Sequence, residues 1–278
     1  MAAYEYSEPV AKLITLGKPE GSNTEWLDYT ALGITKEHIP ELIRLMEDRD
    51  LWFVEPPEDM PEGETMPEWF AGIHAWRALA RLKAEEAIPA LVEYLRTIEE
   101  NDNDWYLDEA PDVFAQIGPA AIPRLTKYLE NPDNPEFSRA CAAISLVHIA
   151  KTYPETRDGV VSTLASLLEN YEQHGDVVNA YLVDGLMELN AGLEHLDIIR
   201  KAFEAHRVDV MLRGDFEDIQ VQLGLKEKPK SPLPVLPDIF RTPTPKYKSR
   251  NKKKAQARKI AKASRRKNRP KKKKKKKK

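Results

Sequence analysis

From about Thr24 to Leu225 the apolar residues recur at i, i+3, i+4 and i+7, the spacing that lines one face of an α-helix, and strand-like alternation is nearly absent. Two interleaved series stand out. The first holds Ala75/Ala78/Leu79/Leu82, Ala110/Val113/Phe114/Ile117, Ala140/Ala143/Ile144/Val147 and Leu182/Gly185/Leu186/Leu189. The second holds Ile88/Leu91/Val92/Leu95, Ile122/Leu125/Thr126/Leu129, Val161/Leu164/Ala165/Leu168 and Leu196/Ile199/Arg200/Phe203. Its stripes begin 34, 39 and 35 residues apart, the period of a two-helix repeat. The small residues leading the first series allow close helix approach. Pro40, Pro89 and Pro123 each follow an isoleucine, which places them in a first helical turn where the missing N–H costs nothing. Segments Trp26–Leu32 and Thr35–Glu47 fit as an earlier pair, with Thr35 as N-cap, and Asp215, Glu217 and Asp218 read as the acidic start of a last helix.

The residues that carry this repeat most clearly, Ala75 to Arg96 (AWRALARLKAEEAIPALVEYLR), resemble the short HEAT-like repeat associated with phycobilin lyases, and Ala110 to Glu130 is a looser copy. As a whole the body resembles bacterial HEAT-like proteins known as domains of unknown function. The resemblance implies an all-α solenoid of about five helix pairs over residues 1–225. It implies an interaction scaffold, with a phycobilin-lyase-like cofactor-handling role as the alternative. The di-iron hydroxylases on similar repeats carry His-Glu dipeptides, and this sequence has none.

Charge changes the picture. Residues 226–278 hold 25 of the 43 Lys and Arg and two of the 45 Asp and Glu, so a segment of +23 follows a body of −25. An acidic body repels a phosphate backbone, which disfavours the groove of the HEAT-like DNA glycosylases. It suits an acidic chaperone for basic clients, a third functional reading. Residues 226–245 form a Pro-rich linker with two PxxP matches, read as a spacer, and LPVLPDIF within it is apolar enough to pack on the last helix pair. Residues 246–278 are too polar to pay for ordering and read as a disordered Lys/Arg-rich tail. Lys252, Lys253, Lys254, Arg258, Lys259, Lys262, Arg265, Arg266, Lys267 and Arg269 are its candidate contacts to RNA, the ribosome or another polyanion. With Tyr247 the single aromatic there, base stacking contributes little.

Other chemistry is sparse. Glu99 to Asp112 concentrates seven carboxylates and reads as a solvated loop; Asp102, Asp104, Trp105, Asp108 and Glu109 make it a candidate acidic docking loop rather than a calcium site. Six scattered histidines give no metal cluster, His148 reads as a satisfied near-core residue, and Trp26, Trp69 and Trp76 read as core. No catalytic motif, cofactor or metal site is assigned. Cys141, the single cysteine, lies in an Ala-rich helical run and suits a reducing compartment. No run is long enough to span a bilayer and no signal peptide is evident, so the expected location is cytoplasmic, or nuclear in a eukaryote. The expected partners are a protein for the body and a polyanion for the tail.

Overall fold

The computed structural model describes residues 5–20, 25–61 and 63–227. The described chain is all-helical, without a strand. Its α-helices are α1 (Ile39–Glu47), α2 (Arg49–Trp52), α3 (Ala71–Arg81), α4 (Ile88–Tyr94), α5 (Thr97–Glu100), α6 (Asp104–Ile117) and α7 (Ile122–Glu130). They continue with α8 (Glu136–Thr152), α9 (Arg157–Glu169), α10 (Asp176–Glu188), α11 (Leu196–Glu204), α12 (Val210–Arg213) and α13 (Phe216–Gln222).

The two hydrophobic series become two sets of helices. Helices α3, α6, α8 and α10 carry the first and α4, α7, α9 and α11 the second. Along the first set α1 packs on α3, α3 on α6, α6 on α8, α8 on α10 and α10 on α12; α4 packs on α7 and α9 on α11. Ala75, Ala78, Ala140 and Ala143, all fully or almost fully buried, allow the close approach within the first set. Leu91, Leu125, Leu164 and Ile199 bury the inner stripe of the second. Pro40, Pro89 and Pro123 occupy the first turns of α1, α4 and α7.

Helix starts use borrowed as well as local caps. Thr35 forms a capping box with His38 on the turn leading into α1, and Asp215 forms one with Asp218 at α13. Helices α8 and α10 have no side-chain cap of their own. Glu99 of α5 accepts from the Phe137 backbone N–H at 2.6 Å, and Glu136 of α8 accepts from that of Val177 at 3.2 Å. Each carboxylate thus satisfies an orphan donor in the first turn of the next long helix.

Two segments depart from the sequence expectation. Trp26–Leu32 is not a helix: only Thr30–Leu32 forms a 3-10 turn. Asp28 Oδ1 draws the N–H groups of Thr30 and Ala31 into a local turn, and Gly33, at φ +90°, ends it in the left-handed region that glycine tolerates. Trp26 still packs in the core, 4% exposed. The expected acidic loop is also mostly helix, since α5 and α6 are separated only by Asn101, Asp102 and Asn103. Asn103 caps α6 by accepting from Tyr106 N–H.

Within α6, Pro111 has no N–H to give the Leu107 carbonyl. The Cys141 thiol of α8 faces that oxygen at 3.7 Å and supplies a donor. An unremarkable core cysteine in the sequence is therefore the partner of a proline-made vacancy in the neighbouring helix.

Candidate functional site

A series of cross-helix contacts between acidic side chains and Arg, Lys or His runs along the first set of helices and on to α12. Arg77 of α3 meets Glu109 of α6; His148 of α8 meets Asp112 of α6; Lys151 of α8 meets Glu188 of α10; Arg213 of α12 meets Asp184 of α10. Every step between consecutive first-set helices from α3 to α12 carries one such pair.

The first pair is the buried one. Arg77 and Glu109 side chains are 3% and 9% exposed, and Glu109 accepts from Arg77 Nε at 2.9 Å and Trp76 Nε1 at 2.8 Å as well as from Arg77 Nη2. The charge is delocalised over a two-pronged contact that desolvation would otherwise forbid. The outer pairs are more open, Lys151 and Glu188 most of all, while the Arg213 side chain is still only 8% exposed. His148 Nδ1 lies 3.0 Å from Asp112 Oδ1, in keeping with a satisfied near-core histidine. At Asp184 burial raises the carboxyl above its usual range and the Arg213 guanidinium opposes this; at 3.2 Å their contact is an ion pair without hydrogen-bond alignment.

The candidate acidic cluster is divided by this arrangement. Glu109 is withdrawn into the Arg77 pair, and Trp105 packs against the core with its ring 6.2 Å from Phe70. Asp102 lies in the short turn before α6 and Asp104 and Asp108 on α6 itself. Of the tryptophans read as core, Trp76 is fully buried and Trp69 half-buried, donating to the Val54 carbonyl at 3.0 Å. The ten cationic candidates from Lys252 to Arg269 lie outside the described residues, as do the Pro-rich motifs.

Among the described residues no group of His, Cys, Asp and Glu could hold a metal ion, and no helix is long and apolar enough to cross a membrane. Burial pushes the Cys141 thiol up to about 12, which removes it as a nucleophile. A shallow cleft at the first helices is lined by Tyr6, Arg44, Asp48 and Arg49, but Tyr6 donates to Asp48 at 2.8 Å beneath the Arg44 guanidinium. Arg44 also donates to Glu5 O and to Glu41, and Arg49 pairs with Glu100. On α12, Val210, Met211 and Leu212 are exposed in succession, Met211 at 90%. Among the described residues the surface thus carries rows of charged side chains and, on α12, an exposed apolar turn.

Sequence reasoning missed His74, Arg77 and Arg81, which tie α3 to the segment before it. His74 contacts the Gly17 carbonyl and the Tyr29 hydroxyl, each at 2.9 Å. Arg77 donates to Glu20 O at 3.3 Å and Arg81 to Trp26 O at 3.1 Å, both guanidinium groups lying over the Trp26 ring. Their i, i+3, i+7 spacing was the available signal: three cationic or ionisable residues on one side of an otherwise apolar helix.

These features define an all-helical protein braced by ion pairs between successive helices. The chain belongs to the DUF1186 family of proteins of unknown function, whose model matches residues 34–231. No curated protein matches the chain, and no solved structure does.

Proposed function

We propose that this protein is a non-enzymatic interaction scaffold: a HEAT-like solenoid whose body binds a protein partner and whose tail binds RNA, in the ribosome or free, or a similar polyanion. The observation that carries the reading is the division of charge, −25 up to residue 225 and +23 after it. A body so acidic does not hold a phosphate backbone, whereas a tail rich in both lysine and arginine releases counterions along one. The body's paired helices, about five pairs at a period near 35 residues, support the solenoid reading, and its charged rows and the apolar turn of α12 suit a protein surface.

The test is co-sedimentation of the full chain with RNA and with ribosomes across a salt titration. If about six phosphates are contacted, affinity falls by about 10³ between 50 and 200 mM salt. Replacing Lys252, Lys253, Lys254, Arg258, Lys259, Lys262, Arg265, Arg266, Lys267 and Arg269 by Gln in the full chain flattens that dependence. Salt-independent binding sinks the polyanion role of the tail, and unchanged binding after the replacement, which leaves Lys271 to Lys278 in place, sinks the role of these ten residues.

A further inference from the structure

The described residues of the stretch carrying Gly17, Glu20, Trp26 and Tyr29 contain no helix, and those four residues meet α3 through the row His74, Arg77 and Arg81. Arg77 and Arg81 grip main-chain carbonyls whatever the pH. His74 is different. It is 4% exposed and both ring nitrogens are engaged. Facing a carbonyl, which only accepts, Nε2 must carry the proton; Nδ1 is then the acceptor for the Tyr29 hydroxyl. Burial keeps that hydroxyl protonated and able to donate. The closed arrangement is thus made for the neutral imidazole.

We propose that His74 is the release of a pH-operated clasp: on taking up a proton it lets the clasped residues Gly17, Glu20, Trp26 and Tyr29 part from α3 while the remaining helices stay packed. A protonated His74 would stand buried next to Arg77, and the Tyr29 hydroxyl would lose the acceptor it donates to now. The ionisable groups facing it are Tyr29 from the clasped segment, Arg77 on its own helix and Glu109 from α6, and Glu109 is already taken by Arg77 and Trp76. From the other elements against α3, Lys12 pairs with Glu8, Glu41 and Arg44 are engaged with Ser7, Glu5 and each other, and Arg49 pairs with Glu100. Glu68, on the turn leading into α3, keeps a buried Oε2 without a partner. Opening frees the Arg77 and Arg81 donors now held by the Glu20 and Trp26 carbonyls, while the Arg77 charge stays paired with Glu109. The clasp lies before residue 34, where the family match begins.

Burial holds the His74 imidazole below its usual value of 6.5, with Arg77 adding to the effect and the Gly17 carbonyl and Glu109 opposing it. The closed state is complete above that value. Below it each pH unit weakens closure by up to about tenfold, until His74 protonates in the closed state as well.

The test is amide hydrogen exchange on the full chain, corrected for intrinsic rates, at about pH 7.5, 6.5 and 5.5. Protection at residues 25–34 is expected to fall up to about tenfold from pH 6.5 to 5.5 while α8 and α10 hold theirs. His74→Gln, which keeps a donor for Gly17 and does not titrate, removes the pH dependence. Tyr29→Phe, which removes the bond favouring neutral His74, moves the opening to higher pH. Constant protection at residues 25–34, loss shared equally by α8 and α10, an unaltered response in His74→Gln, or an unmoved or lowered midpoint in Tyr29→Phe overturns the proposal.

Discussion

The carboxylate of Glu136 occupies the space in which a Cβ at Gly175 would stand. From there it accepts from the Val177 N–H, so the first residue of α8 caps α10 only because the residue before α10 has no side chain. The obstruction is the end of a flexible side chain, which can swing away. Gly175→Ala therefore costs the cap rather than the fold, about 1 kcal/mol, and Glu136→Ala costs a similar amount. Because both remove one interaction, the double variant is destabilised by clearly less than the sum of the single effects. Urea unfolding of the four proteins measures this, and strict additivity would show that glycine and carboxylate act independently.

The Arg77–Glu109 pair predicts a larger effect. Glu109→Gln leaves a guanidinium buried against a neutral amide and weakens the Trp76 bond, with an expected loss of about 3 kcal/mol. Replacing both charges, Arg77→Met with Glu109→Leu, removes the desolvation penalty together with the attraction. It is expected to recover part of that loss in thermal or urea unfolding. A double variant less stable than Glu109→Gln would mean that the Arg77 grip on Glu20 and Trp26 outweighs the buried charge.

Periodicity made the helices legible because it is a local record of which face is buried. The stripes from Ala75, Ala110, Ala140 and Leu182 fall in α3, α6, α8 and α10, and the isoleucine–proline starts fall at α1, α4 and α7. What the sequence hides is pairing over distance. Glu109 looks like one acid among seven between residues 99 and 112, and only its placement opposite Arg77 separates it from exposed neighbours. Trp26 reads as helical by spacing, yet Asp28 and Gly33 impose a turn whose cost is met by docking on α3. The charge of residues 226–278 is a matter of composition and can be counted without a fold.

Cys141 gives a prediction in which polarity outweighs size. Its thiol answers the Leu107 carbonyl left without an N–H by Pro111, and the side chain is fully buried. Cys141→Ser keeps a donor at that oxygen, whereas Cys141→Ala leaves a buried acceptor unsatisfied, a difference of about 1 kcal/mol in favour of serine. With its pKa at about 12, the native thiol should resist alkylation at neutral pH and react fully once the protein is unfolded. Equal stability of the two variants would reduce Cys141 to a packing residue.

At α10 a second buried imidazole makes stability depend on pH. His174 is 6% exposed and its Nδ1 accepts from Arg139 Nη2 at 2.9 Å, so the fold holds it neutral. Burial lowers its pKa below 6.5 and the Arg139 charge lowers it further. The unfolded chain therefore binds this proton first as pH falls. The contribution of His174 is intact above about 6.5 and is lost toward its folded pKa, at no more than about 1.4 kcal/mol per pH unit. Protonation of the many carboxylates changes stability over a lower range, so the difference between proteins is the quantity to follow. His174→Asn retains an acceptor for Arg139 without titrating. Between pH 7.5 and 5.5 its unfolding midpoint should fall less than that of the wild-type protein, and parallel curves would show that His174 titrates alike in the folded and the unfolded chain.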